Sequence, residues 1–201
     1  INKRVAISYF LLECPWPIWV YVIYIHFGEL LKNSLNYTAS EVISHNLYIS
    51  IACYIGSIIT VYLSTRINPL QILQIRSVIF CIILPILIWK LEKNVTIFNL
   101  TILQTFMIVF HPTSLGADPI IFKYFPVLKR FFATSMLLAA AKVLMYSVTS
   151  VGIVFLTKYL GASYSLLFLV GSIIIGYFYG LNTFISLEKE AGNYNKETSW
   201  S

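Results

Sequence analysis

The chain has 201 residues, 58% of them hydrophobic and only 11% charged, with a mean hydropathy of +0.79. A soluble domain carries roughly a quarter of its residues as charges, so these values exclude an ordinary soluble fold and predict an all-α integral membrane protein. The formal charge of +6 does not indicate nucleic acid, because Lys and Arg are scattered between apolar runs rather than massed on one face; it matches the cationic bias of cytoplasmic loops.

Six spans are predicted. The first runs over about 5–27 and carries Glu13 and the segment Cys14-Pro15-Trp16-Pro17-Ile18-Trp19. Two prolines two residues apart remove backbone donors, which predicts a break near Pro15. Gly28 to Tyr37 is polar enough to be read as a loop. Thr38-Ala39-Ser40-Glu41 has the capping-box spacing ahead of a second span over 39–64. That apolar run ends in Leu63-Ser64-Thr65-Arg66, and Asn68-Pro69 opens the third span, 69–91, as N-cap and first helical residue.

The fourth span is predicted over 96–122. It is interrupted at His111-Pro112 and continues irregularly through Gly116 and Pro119. A basic turn over 123–130 leads to the fifth span, 131–156, rich in Ala and Ser. The sixth, 163–187, contains Gly176-Tyr177-Phe178-Tyr179-Gly180, where small residues four apart allow close helix approach. Residues 1–187 thus form one six-helix bundle, and 188–201 a polar, disordered tail.

Lys3, Arg4, Arg66, Arg76, Lys123, Lys129, Arg130, Lys189 and Lys196 fall at one set of span ends; Lys32, Lys90, Lys93 and Lys158 fall at the other. Nine against four places both termini in the cytoplasm. Cys14, Cys53 and Cys81 lie in apolar runs without metal-ligand spacing and read as small buried hydrophobes. Three Asn-x-Thr triplets, at Asn36, Asn94 and Asn99, are frequent by chance in an Asn-rich chain and carry little weight. The run after Lys3-Arg4 is interrupted by Glu13, Pro15 and Pro17, so no signal peptide is expected. Ile1 rather than Met opens the chain, and it is read as a piece of something longer.

Gly56 followed by Leu63-Ser64-Thr65-Arg66-Ile67-Asn68-Pro69 resembles the loop motif repeated in both halves of major facilitator superfamily transporters, a Gly on the first helix and then Leu-Ser-Asp-Arg-Ile-Gly-Arg-Arg-Pro. Phe125-Pro126-Val127-Leu128-Lys129-Arg130-Phe131-Phe132-Ala133-Thr134-Ser135 resembles the Glu-Leu-Phe-Pro-Thr-x-x-Arg-x-x-Gly-x-Ser segment opening their eleventh helix. The spacing from Tyr21 through Ser40, Gly56 and Leu63 to Arg66 is similar to the metabolite:proton symporter branch, which contains the proline/glycine-betaine, 2-oxoglutarate, citrate and shikimate permeases. The resemblance covers nearly the whole chain and implies the C-terminal half of a twelve-helix carrier in a bacterial inner (plasma) membrane. It implies a small-molecule substrate of proline/betaine or organic-acid type, a proton or other cation as coupling ion, and no cofactor. Its partners would be the lipid bilayer and either the N-terminal six-helix half or a second copy. It also implies cytoplasmic gate motifs at Gly56, Ser64, Arg66, Pro126 and Arg130. Thr65 replaces the loop acid, and Lys123 or Tyr124 stands near the family Glu. Arg66 and Arg130 are thereby left without the acids that latch the family's gate.

Charged groups inside a span are costly unless paired or wetted, so Glu13, Lys142 and Asp118 are functional candidates. Glu13 and Lys142 lie at similar depths, within about 3 Å at 1.5 Å per residue. They are read either as a proton- or substrate-binding carboxylate with its partner, or as a structural ion pair. Asp118 sits where a helix breaks and is read first as a cap. His26 and His111 are hydrogen-bonded core residues or proton relays, and His111-Pro112 marks a break of the kind that lines cavities. Trp16, Trp19, Tyr21 and Tyr24 are packing and interface residues, or an aromatic face for a quaternary ammonium. No catalytic or metal-binding motif appears, so no enzyme is expected. The competing class is a non-transporting membrane interaction protein or a degenerate transporter fragment.

Overall fold

The computed structural model describes residues 2–194, and every regular element among them is helical. Helix α1, Lys3–Glu13, is capped by Asn2, whose side chain accepts from the Arg4 amide at 3.0 Å. It stops where expected. Pro15 and Pro17 withhold the amides that would bond the carbonyls of Leu11 and Glu13, and α2, Pro15–Val20, restarts with Pro15 in its first turn. A π-helical stretch over Tyr21–His26 then leads into α3, Phe27–Leu35. The stretch read as a loop from Gly28 is therefore mostly helix. Phe27, Gly28 and Leu31 are buried while Glu29 and Lys32 are exposed: the helix turns amphipathic as it leaves the apolar layer, and mean polarity hid the period. It ends at Asn36, which takes the left-handed conformation (φ 56°) common after a helix.

Helix α4, Ala39–Ser64, opens with a complete capping box: the Glu41 amide donates to Thr38 Oγ1 at 3.3 Å, and the Thr38 amide to Glu41 Oε2 at 2.8 Å. Helix α5, Pro69–Lys93, is capped by Asn68, whose Oδ1 accepts from the Leu70 amide at 3.0 Å, and retains Pro85 inside it. The expected fourth span is divided into α6, Ile97–Phe110, and α7, Asp118–Phe122, with residues 111–117 irregular between them. After a single 3-10 turn over Val127–Lys129 come α8, Arg130–Leu160, and α9, Ala162–Glu190. Glu188–Glu190 are helical rather than part of a loose tail. Residues 195–201 of that tail, Lys196 included, lie outside the described residues.

Five helical stretches are long and apolar enough to cross a membrane: Lys3–Leu35, Ala39–Ser64, Pro69–Lys93, Val127–Tyr159 and Tyr164–Glu190. The chain is an integral membrane helical bundle. Helix α6, with 14 residues, is about 21 Å long and too short alone for a hydrocarbon layer of about 30 Å.

Helices α1 and α9 pack closely and antiparallel. A Cβ on Gly176 would meet Leu11 at 3.2 Å, and one on Gly180 would meet the Ser8 carbonyl at 2.5 Å. Lys3 and Glu190 thus share one end of the bundle. The α4–α5 turn lies there too, since Asn68 Nδ2 donates to the Tyr194 carbonyl at 2.8 Å. So does Lys123 beyond α7, which pairs with Glu188. The polypeptide from Ile97 to Phe122 accordingly runs from the far end of the bundle back to the end holding the termini.

The interior holds two apolar clusters. One, around Ile18, Trp19, Phe80, Leu84, Leu103 and Met107, occupies the far half. The other, around Tyr9, Leu70, Ala117, Phe125, Tyr177 and Phe184, occupies the half near the termini. Glu13 lies between them on the first rod, Arg76 and Ser77 on α5, and residues 111–114 at the break after α6.

Candidate functional site

The break after α6 exists because His111 precedes Pro112, which has no amide and disfavours helix in the residue before it. His111 leaves helical geometry (φ −52°, ψ 144°) and Gly116 takes φ +90°. Breaking a helix releases carbonyls, and here side chains from other helices capture them. Arg76 Nη2 donates to the Val109 carbonyl at 2.5 Å, and the Tyr177 hydroxyl donates to the Thr113 carbonyl at 2.9 Å. His111 Nδ1 bonds the Ile108 carbonyl at 2.7 Å, which makes Nδ1 the protonated donor and leaves Nε2 free to accept. Non-helical backbone is tolerated at membrane depth where it is satisfied in this way or lines a cavity.

On the side toward the termini, Ser114 lies beside the carboxyls of both Glu13 and Asp118. Glu13 is 8% exposed, and Asp118 stands at the start of α7. Lys142 belongs to the same electrostatic neighbourhood as Glu13, as their matched depths predict. The two form no ion pair within 4 Å; the one such pair among the described residues is Lys123–Glu188. Lys142 Nζ instead sits 4.8 Å from the centre of the Trp16 ring. On the other side of the break is a cavity of about 190 Å³, lined in part by Trp16, Cys53, Ser57, Arg76, His111 and Thr113.

Glu13, Lys142, His111, Asp118 and Trp16 are therefore gathered around the break. Trp19 packs behind them, edge-on to Phe80 at 4.9 Å and 6.4 Å from the His111 ring. Tyr21 packs against the far-half cluster, Tyr24 shares a 3.0 Å hydrogen bond with Ser50, and His26 lies beside Phe27 at 5.7 Å. These three stand apart from the break.

Of the motif positions, Ser64, Arg66, Pro126 and Arg130 lie toward the end of the bundle holding the termini, and Gly56 lies inside α4 at the level of the break. A Cβ on Gly56 would lie 3.2 Å from Val109, and one on Gly116 would lie 3.4 Å from Ser64. The Ser64 hydroxyl donates to the Val61 carbonyl at 2.6 Å. Arg66 stacks over the Tyr62 ring at 5.5 Å, and Pro126 leads into the turn before α8. Arg130 Nη2 lies 3.5 Å from the Phe125 carbonyl, its Nε buried without a partner. Neither arginine has an acid within 4 Å among the described residues. Lys123 and Tyr124, which replace the motif's acid, meet the acid Glu188 of α9 instead: Lys123 as an ion pair, Tyr124 by a 2.5 Å hydrogen bond. Burial first, and then that hydrogen bond, push the Tyr124 phenol above its ordinary range, so it stays a donor at physiological pH.

Sequence reasoning placed Arg76 among the loop cations. It lies seven residues inside α5, about 10 Å along the helix, and its guanidinium reaches the break; the depth count applied to Glu13 finds it. Without it the charge bias is eight against four. Gln104 is likewise not singled out by the sequence. The π turns leave the Ile23 carbonyl free, because the Phe27 amide bonds Val22 instead. Buried Gln104 donates to that carbonyl at 2.9 Å and accepts from His45 at 2.6 Å.

No protein-family model, curated protein or solved structure matches the chain.

Proposed function

We propose that the chain is a six-crossing bundle of a secondary active transporter of the major facilitator type, moving a small polar metabolite together with a proton. In this reading α6, the irregular 111–117 segment and α7 make the sixth crossing, both termini are cytoplasmic, and a second bundle completes the site. The observation that carries it is the polar layer at the break, where Glu13 and Arg76 lie between two apolar clusters and Asp118 and Lys142 neighbour Glu13. Discontinuous helices with ionisable side chains near mid-depth are how carriers build substrate and ion sites. A carboxyl there costs little to ionise when water enters and much when the layer closes, the property that proton coupling requires. Glu13 supplies it, with Asp118 sharing Ser114 as second acceptor. Lys142, held over Trp16 rather than locked to Glu13, leaves that carboxyl free to change charge.

The test is uptake of labelled L-proline, glycine betaine or citrate, driven by an imposed proton gradient, in cells expressing the chain with the coding sequence immediately upstream. Gradient-driven uptake of at least one is expected, reduced more than tenfold in Glu13→Gln and weakened in Lys142→Met. Unchanged coupled uptake in both variants would contradict the assignment.

A further inference from the structure

Inside a membrane bundle an unpaired cation is expensive. Arg76 carries five donors on a fixed plane, and among the described residues only Nη2 has a partner, the Val109 carbonyl at 2.5 Å. Its Nη1 is buried without one. No carboxylate comes within 4 Å of it among the described residues. Arg76 lines the cavity of about 190 Å³ at the break, together with His111, Thr113, Ser57, Cys53 and Trp16.

Size and charge narrow the occupant. An apolar cavity of about 150 Å³ holds benzene, so this one takes roughly six to eight non-hydrogen atoms. A guanidinium with donors to spare and no acid beside it is complemented by an anionic oxygen, as a carboxylate presents. A quaternary ammonium is disfavoured, because Lys142 already lies over Trp16 and Arg76 lines the same space. The aromatic face that would hold a trimethylated nitrogen thus has a cation of its own.

We propose that the cavity at the break after α6 binds a small monocarboxylate, its carboxylate on the Arg76 guanidinium and its apolar part against Trp16. His111 Nε2, free to accept, selects for a hydroxyl or ammonium group beside the carboxylate. The use of the site in transport rests on the carrier reading above; its binding chemistry does not.

The test is equilibrium dialysis of the purified 201-residue chain in detergent against labelled L-lactate, pyruvate, propionate and choline. Saturable binding of at least one carboxylate is expected, with no saturable choline binding. Arg76→Gln weakens it at least tenfold, while Arg76→Lys retains part of it. Should Arg76→Gln lose its helical circular dichroism, Ser57→Leu decides the matter, filling the cavity while leaving Arg76 in place, with the same loss expected. Absence of saturable binding for all three carboxylates, choline binding of equal strength, or undiminished carboxylate binding in a folded Arg76→Gln or Ser57→Leu chain would overturn the proposal. Carboxylate binding without gradient-driven uptake keeps this site and removes the carrier reading. Coupled uptake of a solute that lacks a carboxylate does the reverse.

Discussion

Glu188 sits 3% exposed where α9 leaves the bundle, and two neighbours hold it: the Lys123 ammonium and the Tyr124 hydroxyl. The pair joins the segment after α7 to the last helix. Lys123 is 39% exposed, so solvent screening takes much of the ion pair's worth and leaves the hydrogen bond from Tyr124 as the larger part. Glu188→Ala is expected to lower stability by about 1–2 kcal/mol, from one charged hydrogen bond and a discounted ion pair. Glu188→Gln, which still accepts from Tyr124, is expected to cost less than half as much. Equal losses in thermal unfolding of the two variants would show that charge, not the hydrogen bond, does the holding. Sequence alone exposed the absence of an acid near Lys123, but not its replacement 65 residues later. The partner is brought close only by the packing of α9, and no spacing rule reports that.

At the scale of the element, local chemistry was legible wherever it acts within one turn. Thr38-Ala39-Ser40-Glu41 and Asn68-Pro69 cap their helices as their side chains dictate, and Pro15 and Pro112 break theirs. Asn68 also holds the Tyr194 carbonyl. Asn68→Ala is therefore expected to cost about 1–2 kcal/mol, at the upper end for an N-cap, and chemical denaturation checks it. The π turns at Tyr21–His26 were not legible, because the carbonyl they free is satisfied by Gln104 from a distant helix. Helix pairing at Gly176 and Gly180 was anticipated from spacing, and the structure adds which glycine matters more. A methyl at Gly180 meets backbone, the Ser8 carbonyl at 2.5 Å, whereas one at Gly171 meets nothing within 4 Å among the described residues. Gly180→Ala is expected to lose about 1–3 kcal/mol by forcing α1 from α9. Gly171→Ala is expected to gain up to about 1 kcal/mol from helix propensity. A measured cost at Gly171 as large as at Gly180 would remove the close-approach explanation.

For the whole molecule, the composition announced a membrane protein, and the helical bundle follows from it. The depth of Glu13 and Lys142 predicted their shared level, because rise per residue is constant along a helix. The polar layer as a unit was not visible, since Arg76, Ser114 and Tyr177 come from three different segments and only packing aligns them. The carrier reading requires that α6, the break and α7 together cross the bilayer, carrying that layer through its middle. Cysteine labelling by an impermeant maleimide tests it most directly, with Cys14, Cys53 and Cys81 first replaced by Ala and single cysteines placed at Asn94 and Leu128. A crossing predicts that position 94 reacts only from outside the cell and position 128, fully exposed just before α8, only from inside. Reaction of both positions from the same side would make the segment re-entrant and remove the sixth crossing.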